Sequence, residues 1–515
     1  MLDFLGTISW WVWVLIALAI VAIRDVLQKH HTISHNFPIV GHLRYWLESI
    51  GPEMRQYFVA NNREELPFNR IERGWIYASA KNENNYEGFG TDRDIFQHQH
   101  FFVNNAMMPH EIKDENHPNK IDKSFLPCAK VMGEFNKRKK PFRPASIINV
   151  SAMSFGSLSA KAVESMNKGV KLADAYHNTG EGGLSPYHSH GGDVVFHFGT
   201  GYFGVRNADG GFSLEKLVSL VEKNPFIRAI EVKLSQGAKP GKGGVLPGAK
   251  ITPEISEIRS VEIGKDVLSP PNHKAFSNVP EMLDFIEKIA EATGLPVGIK
   301  AAIGKLDQWK ELADIMQKTG KGPDFITVDG GEGGTGAAPP SFADHVSLPW
   351  VYGFSDLYKL FKDKGLSERI VFVGSGKLGF PAKAAMAFAM GVDCINVARE
   401  SMMSIGCIQA QVCHTNRCPT GIATQNKWLQ NGIDPELKAQ RLAQYYKTFR
   451  KELIEITHAA GYEHPCQFKM TDIEINIDGN DLAKDLSRTY MYEKTKVPFS
   501  GMQSLKDCKY LGGVK

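Results

Sequence analysis

Cysteine is scarce in this 515-residue chain, with seven in all. Four of them, Cys128, Cys394, Cys466 and Cys508, stand apart, which argues against a disulfide framework and for a reducing compartment. An excess of one charge is lacking too. Sixty Lys and Arg against 56 Asp and Glu leave a net +4, so nothing points to nucleic acid as a partner. The basic run Lys137-Arg138-Lys139-Lys140 reads as a solvated loop in preference to a phosphate or lipid site. No GxGxxG opens a helix after an early strand, which argues against a Rossmann NAD site. With 43% apolar and 23% charged residues the composition is globular. The length suits one large core with appendages, or two to three domains.

Long apolar runs are missing except at the start. Leu5 to Ile23 carries no charge, and that many helical residues reach about 28 Å, enough for a bilayer core. Trp10, Trp11 and Trp13 sit at one end, where amphipathic rings favour the interface. Arg24, Lys29 and two histidines follow the other end. A cleaved signal peptide would carry its positive charges before the run. The expectation is a single-pass membrane anchor, with the catalytic body on the cytoplasmic side by the positive-inside rule.

What is plentiful is glycine, 49 residues clustered in TGEGG, GAKPGKGG, DGGEGGTG and GSGKLG. Such clusters let backbone approach a ligand, and their N–H groups make anion nests. From about residue 146, short apolar runs alternate with amphipathic stretches. The runs are 147–153, 173–178, 194–198, 229–234, 297–302, 325–330, 370–375 and 394–399. Eight such units fit an α/β fold, a (β/α)8 TIM barrel, better than an open doubly wound sheet. Several glycine clusters come directly after strand ends, which form the active face of such a barrel. The loops after strands seven and eight, a common phosphate site, are Gly374-Ser375-Gly376 and Ala398-Arg399. They point to a phosphorylated cofactor.

The three remaining cysteines fall close together in CIQAQVCHTNRCPTG, at Cys407, Cys413 and Cys418, with Pro419 following. By spacing alone they suit an iron–sulfur cluster, zinc or unliganded buried thiols. At 100° per residue a helix would turn Cys413 away from the other two, so the stretch is a loop.

Over roughly residues 125–425 the chain resembles the FMN- and iron–sulfur-binding synthase region of glutamate synthase. The likeness rests on SAMSFGSLS (151–159), TGEGG (179–183), EVKLSQGAKPGKGGVLPG (231–248), DGGEGGTGAAP (329–339) and CIQAQVCHTNRCPTGIATQ (407–425), in the family's order. The resemblance implies that Cys407, Cys413 and Cys418 hold a 3Fe-4S cluster. It implies that Met153 and Ser154 lie beside an FMN ring, with Lys300 near its N1–C2 edge. Gly334, Thr335 and Gly336 would line FMN, and its phosphate would meet Gly374, Ser375, Gly376 and Arg399. The substrate would be 2-oxoglutarate or a similar dicarboxylate, held by Gln236, Lys239 and Arg259, with Glu181 a candidate for proton transfer. The plainer alternatives are a barrel lysine paired to a carboxylate for Lys300 and a residue of a mobile surface loop for Arg259.

Departures from that pattern shape the expected activity. Residues 32–125 contain no cysteine and are too short for the family's amidotransferase domain, so glutamine hydrolysis in cis is not expected. The family's coupling glutamate after its Pro-Pro motif is shifted or lost near Pro280-Glu281. The expected organisation is an anchor and its flank (1–31), an extension (32–125), the FMN barrel with its iron–sulfur loop at 407–418 (126–425), and a C-terminal helix and tail (426–515). The expected reaction is reductive amination of 2-oxoglutarate to L-glutamate. Nitrogen would come from ammonia or a separate amidotransferase, and electrons from a ferredoxin, a reductase or a membrane component. Rival readings are an enzyme acting on another amine, such as an N-methylglutamate synthase, an amino-acid oxidase, or a non-catalytic electron-transfer subunit.

Overall fold

A computed structural model describes residues 9–477 and 483–506. Residues 5–8 of the apolar run, and Cys508, lie outside them. The chain divides into two compact units, residues 1–75 and 76–515.

In the first unit, helix α1 spans Trp10–Leu27. It is the one helix among the described residues long and apolar enough to cross a membrane. A second helix, Gly41–Met54, follows and runs into a wider turn at Arg55–Val59. Asp25, buried near the end of α1, accepts hydrogen bonds from the Ile39 backbone N–H and from His42 Nε2, both at 2.9 Å. That clasp ties the two helices together.

The second unit is built on a closed barrel of eight parallel strands. They are β1 (Ile148–Val150), β2 (Tyr176–Asn178), β3 (Asp193–Phe198), β4 (Ile227–Lys233), β5 (Val297–Ala301), β6 (Phe325–Asp329), β7 (Val371–Ser375) and β8 (Cys394–Val397). Each expected run overlaps one of them, though β3 begins one residue and β4 two residues before its run. The second begins later than expected because Asp174 takes a left-handed turn at φ 53° after the preceding helix. Helices α2 (Ala160–Leu172), α3 (Leu214–Lys223), α4 (Pro253–Arg259), α5 (Val279–Thr293), α6 (Asp307–Thr319), α7 (Trp350–Asp363) and α8 (Pro381–Met390) surround the barrel. The β2–β3 connection departs from the repeated strand–helix pattern. Residues 179–192 hold five glycines and form two short 3-10 turns instead of an α-helix. The C-terminal helix α9 (Pro435–Ala459) packs against α2 and α8.

Alternation along the strands sorts side chains into layers, because every second residue faces the same way. Tyr176, Val195, Ala229, Phe325, Val371 and Cys394 pack with Cys128, Met132 and Phe142 at the strand starts and close that end. Two residues further along, the interior turns polar. Glu231 accepts from Asn178 Nδ2 at 2.7 Å and Thr327 Oγ1 at 2.5 Å, and pairs with His197 Nδ1 at 2.6 Å. Burial works against this carboxylate, but His197, Lys300 and Thr327 outweigh it and hold its pKa at about 2. Another two residues on come Lys233, Asp329 and Ser375, at the opposite rim.

The basic run at 137–140 is not wholly a solvated loop. Lys137, Lys139 and Lys140 are exposed, but Arg138 forms a two-pronged pair with Glu287 at 2.7 and 2.8 Å. It also reaches Asp324 at 2.9 Å. Asp324 is buried, and a buried carboxylate needs such a partner. Charge counting along the chain has no access to that requirement.

Three buried histidines make the fold acid-sensitive. Burial pushes His188 down to about 3 and His273 and His464 down to about 4. Below about pH 6.5 the unfolded chain takes up protons that the native state refuses, so stability is lost as pH falls. Each costs about 2 kcal/mol at pH 5. The urea midpoint should therefore drop clearly between pH 7.5 and pH 5, and an unchanged midpoint would refute the account.

Candidate active site

The rim at the strand C-terminal ends gathers residues from distant loops. Lys233, the last residue of β4, places its ammonium 2.8 Å from Glu181 Oε2 and donates to Gln236 Oε1 at 2.7 Å. These three, with Thr200, Lys242 and Pro270, line a small cleft. Burial disfavours the Glu181 carboxylate, but Lys233, His197 and Lys239 overcome it and hold its pKa at about 2. At neutral pH Glu181 is therefore an ionised hydrogen-bond acceptor.

Lys239 and Arg259 bring further positive charge. Arg259 ends α4, which starts cleanly because Thr252 caps it and Pro253 occupies its first turn. The side chain is buried at 4% exposure, not on a mobile surface. Its Nη2 donates to the Phe155 carbonyl at 2.7 Å and to Ser154 Oγ at 3.2 Å, while Nε is buried without a partner. Burial lowers its pKa to about 10, and the Glu181 charge opposes that fall. Burial likewise lowers Lys239, again opposed by Glu181. Among the described residues, neither cation has a carboxylate within ion-pair distance. Two buried cations without counter-ions call for an anion from outside.

Lys300, on β5, lies 3.5 Å from Asp329 Oδ1, so its pairing to a carboxylate is present as the plainer reading expected. The same Asp329 accepts from Ser375 Oγ and from the Gly237 N–H, both at 2.8 Å, which links the loops after β4, β6 and β7. Met153 and Ser154 are buried beside Arg259's partners on the loop after β1. Thr335 Oγ1 accepts from the Ala337 N–H, and Gly336 is exposed.

The residues expected at the cofactor phosphate fit an anion. Arg399 Nη2 donates to the Glu332 carbonyl at 2.6 Å. A Cβ at Gly334 would fall 2.8 Å from Arg399 Cδ, and one at Gly376 would fall 2.5 Å from Trp350 Cβ. The first glycine lets backbone of the β6 loop approach the Arg399 side chain, and the second lets the β7 loop pack against Trp350.

The three clustered cysteines lie in an irregular loop, as expected from their spacing. Among the described residues, no three Cys, His, Asp or Glu side chains converge as a metal-ligand set. Of the three, the loop favours the thiolate at Cys418 alone. Burial would raise Cys418, but Thr420 and the N–H groups of Ala423, Thr420 and Ile422 outweigh it and lower its pKa. Burial raises Cys407 to about 12. For Cys413, burial and the neighbouring Cys418 raise the value against the pull of Lys250.

Residues 100–463 match the family model described as a conserved region in glutamate synthase. The chain belongs to the glutamate synthase family. It is an oxidoreductase of that family, and FMN is the cofactor that membership implies. The glutamate synthase large subunit-like protein YerD of Bacillus subtilis is 42% identical over 487 residues, covering 88% of this chain and 91% of that one. An archaeal glutamate synthase [NADPH] from Methanocaldococcus jannaschii is 32% identical over 68% of this chain and 66% of its own length. The glutamate synthase [NADPH] large chain of Bacillus subtilis is 29% identical over 61% of this chain, but only 20% of its own length is matched.

Three residues at or near this candidate site, Lys233, Asp329 and Lys250, are not among those expected from the sequence. Lys233 stands inside the motif KLSQGAKPGKGG and Asp329 inside DGGEGG, so both were in view. Their alternate-residue placement on β4 and β6 was the available signal. Lys250 carried no signal in its own neighbourhood, because its partners are distant in the chain.

Proposed function

We propose that this protein catalyses the reductive amination of 2-oxoglutarate to L-glutamate, using FMN and a 3Fe-4S cluster. The observation that carries this reading is the pair of buried, unpaired cations, Arg259 and Lys239, beside a cleft lined by Glu181, Lys233 and Gln236. A dicarboxylate supplies the two missing negative charges. Arg259 Nε and the Lys239 ammonium bind the carboxylates. Lys233 uses two of its three N–H donors on Glu181 and Gln236 and keeps one for the substrate's keto or imine group. Glu181, ionised, holds that lysine in place and relays protons from the adding ammonia nitrogen to the carbonyl oxygen, which leaves as water as the imine forms. Buried walls around Arg259 exclude water from the reacting carbon.

Met153, Ser154, Lys300, Gly334, Thr335, Gly336, Gly374, Ser375, Gly376 and Arg399 would hold FMN. When bound, FMN supplies hydride to the imine carbon. Lys300 stands as a fixed cation for its ring, and Arg399 with the glycine backbone for its phosphate. Cys407, Cys413 and Cys418 would hold the cluster. Nitrogen comes from ammonia or a separate amidotransferase, and electrons from a separate donor. Glu281 gives no sign of coupling to the cleft. It closes a helix cap, accepting from Ser277 N at 2.8 Å and Asn278 Nδ2 at 2.9 Å.

The decisive assay supplies purified protein with 2-oxoglutarate, ammonia and a chemical reductant, and identifies the product. Glutamate is expected. A product formed only when methylamine replaces ammonia would move the reading to an N-alkyl amino acid, and no product with either amine would reject it.

The reading includes a membrane anchor with the barrel on the cytoplasmic side. Helix α1 supports it, being almost entirely exposed along an apolar surface. So does helix Gly41–Met54, where Leu43, Trp46, Leu47 and Met54 are all exposed. At 100° per residue they fall within an arc of about 100°, as in a helix lying along a bilayer surface. Deleting residues 1–31 should remove the need for detergent while leaving measurable binding to lipid vesicles in flotation. Full-length protein recovered wholly in the soluble fraction would count against the anchor.

A further inference from the structure

Lys250 is a buried lysine, 2% exposed, that no step above uses. It ends a 3-10 turn, Gly248–Lys250, just before the cap of α4. Its ammonium donates to three backbone carbonyls: Ser157 at 3.1 Å, Cys413 at 2.8 Å and Ala423 at 2.9 Å. Three acceptors use three N–H donors, and only the protonated amine has three. Ser157 belongs to the loop after β1, which Arg259 also grips. Cys413 lies within the cysteine loop and Ala423 just beyond it. Neighbouring contacts run the same way. Gln425 Nε2 donates to the Gly156 and Leu158 carbonyls at 3.1 and 2.8 Å, and Asn416 Nδ2 to the Ala249 carbonyl at 3.0 Å.

A buried ammonium satisfied only by neutral carbonyls still lacks a counter-charge. Among the described residues no carboxylate is within ion-pair distance of it. Burial lowers the pKa of this ammonium, and the sulfurs of Cys413 and Cys418 oppose that fall. Three thiolates around iron and sulfide carry net negative charge, so the lysine and such a centre offset each other.

We propose that Lys250 is a positioning residue with two roles: it staples the cysteine loop to the loop after β1, and its charge is the counter-ion of the anionic centre held by Cys407, Cys413 and Cys418. The second role rests on the cluster reading above, whereas the first does not.

The test compares full-length wild type with Lys250→Met and Lys250→Arg. It follows FMN content, iron per chain, the cluster's midpoint potential by electron paramagnetic resonance, and hydrogen exchange over residues 151–158 and 407–425. Lys250→Met should retain FMN, lose iron and shift the remaining cluster to a more negative potential. Removing a nearby positive charge makes an added electron less favourable. Exchange should rise together in both segments by roughly tenfold or more, as expected from losing at least one shared hydrogen bond. Lys250→Arg should restore most of the potential. A wild-type potential in Lys250→Met would overturn the counter-ion role, and wild-type exchange in both segments would overturn the staple. If wild type holds no iron after anaerobic reconstitution, the counter-ion role falls with the cluster, and exchange alone decides the staple. If Lys250→Met fails to bind FMN, Lys250→Gln replaces it, because its amide keeps two donors without the charge. It should stay near wild type in exchange but not in potential.

Discussion

Cys413→Ala should abolish glutamate formation driven by a one-electron donor while leaving FMN in place. The residues proposed for the flavin phosphate, Gly334, Gly376 and Arg399, belong to loops after β6, β7 and β8. The cysteine lies elsewhere, in the irregular loop between Cys407 and Cys418. Losing one of three ligands removes the cluster, because three thiolates are already the minimum for a cuboid lacking one corner. Iron per chain should fall from about three to near zero, with visible flavin absorbance retained. A strong two-electron chemical reductant acting directly on flavin should restore part of the turnover. Full iron content in Cys413→Ala would remove this residue from the ligand set.

Arg259→Ala should weaken 2-oxoglutarate by roughly ten- to a hundredfold, which matches a charge-assisted contact of about 1.5–3 kcal/mol. The expected signature is a higher KM with FMN content unchanged. Part of the loss is local, since the Phe155 carbonyl also loses its donor. Arg259→Lys separates the two effects. It retains charge without the planar fork, and should recover only part of the affinity. A rate dependence on 2-oxoglutarate equal to wild type in Arg259→Ala would place this arginine outside the substrate site.

Much of the architecture was legible along the chain. Strand runs such as 325–330 and 370–375 are short, apolar and β-branched, and their period of two places alternate residues on the barrel interior. The C-terminal helix, expected within 426–515, forms at Pro435–Ala459 behind an Asp434 cap. The β2–β3 connection breaks the repeated pattern because its five glycines resist helix formation. Arg138 was misread because an exposed run of like charges is the usual case, and the exception depends on Asp324 and Glu287 far along the chain.

By itself the sequence determined the kind of barrel, the face that carries chemistry, and the residue types brought to it, since these follow from local period and from glycine and cysteine spacing. Tertiary structure decided the partners. Ser154 and Arg259 are 105 residues apart, and Lys250 and Cys413 are 163. Whether a cation is paired or left for a ligand depends on which carboxylates the closed barrel places within about 4 Å of it. Local pattern does not encode that distance. Burial is equally non-local, and it is what turns Arg259, Lys239 and Lys250 from ordinary basic residues into charges that demand an anion.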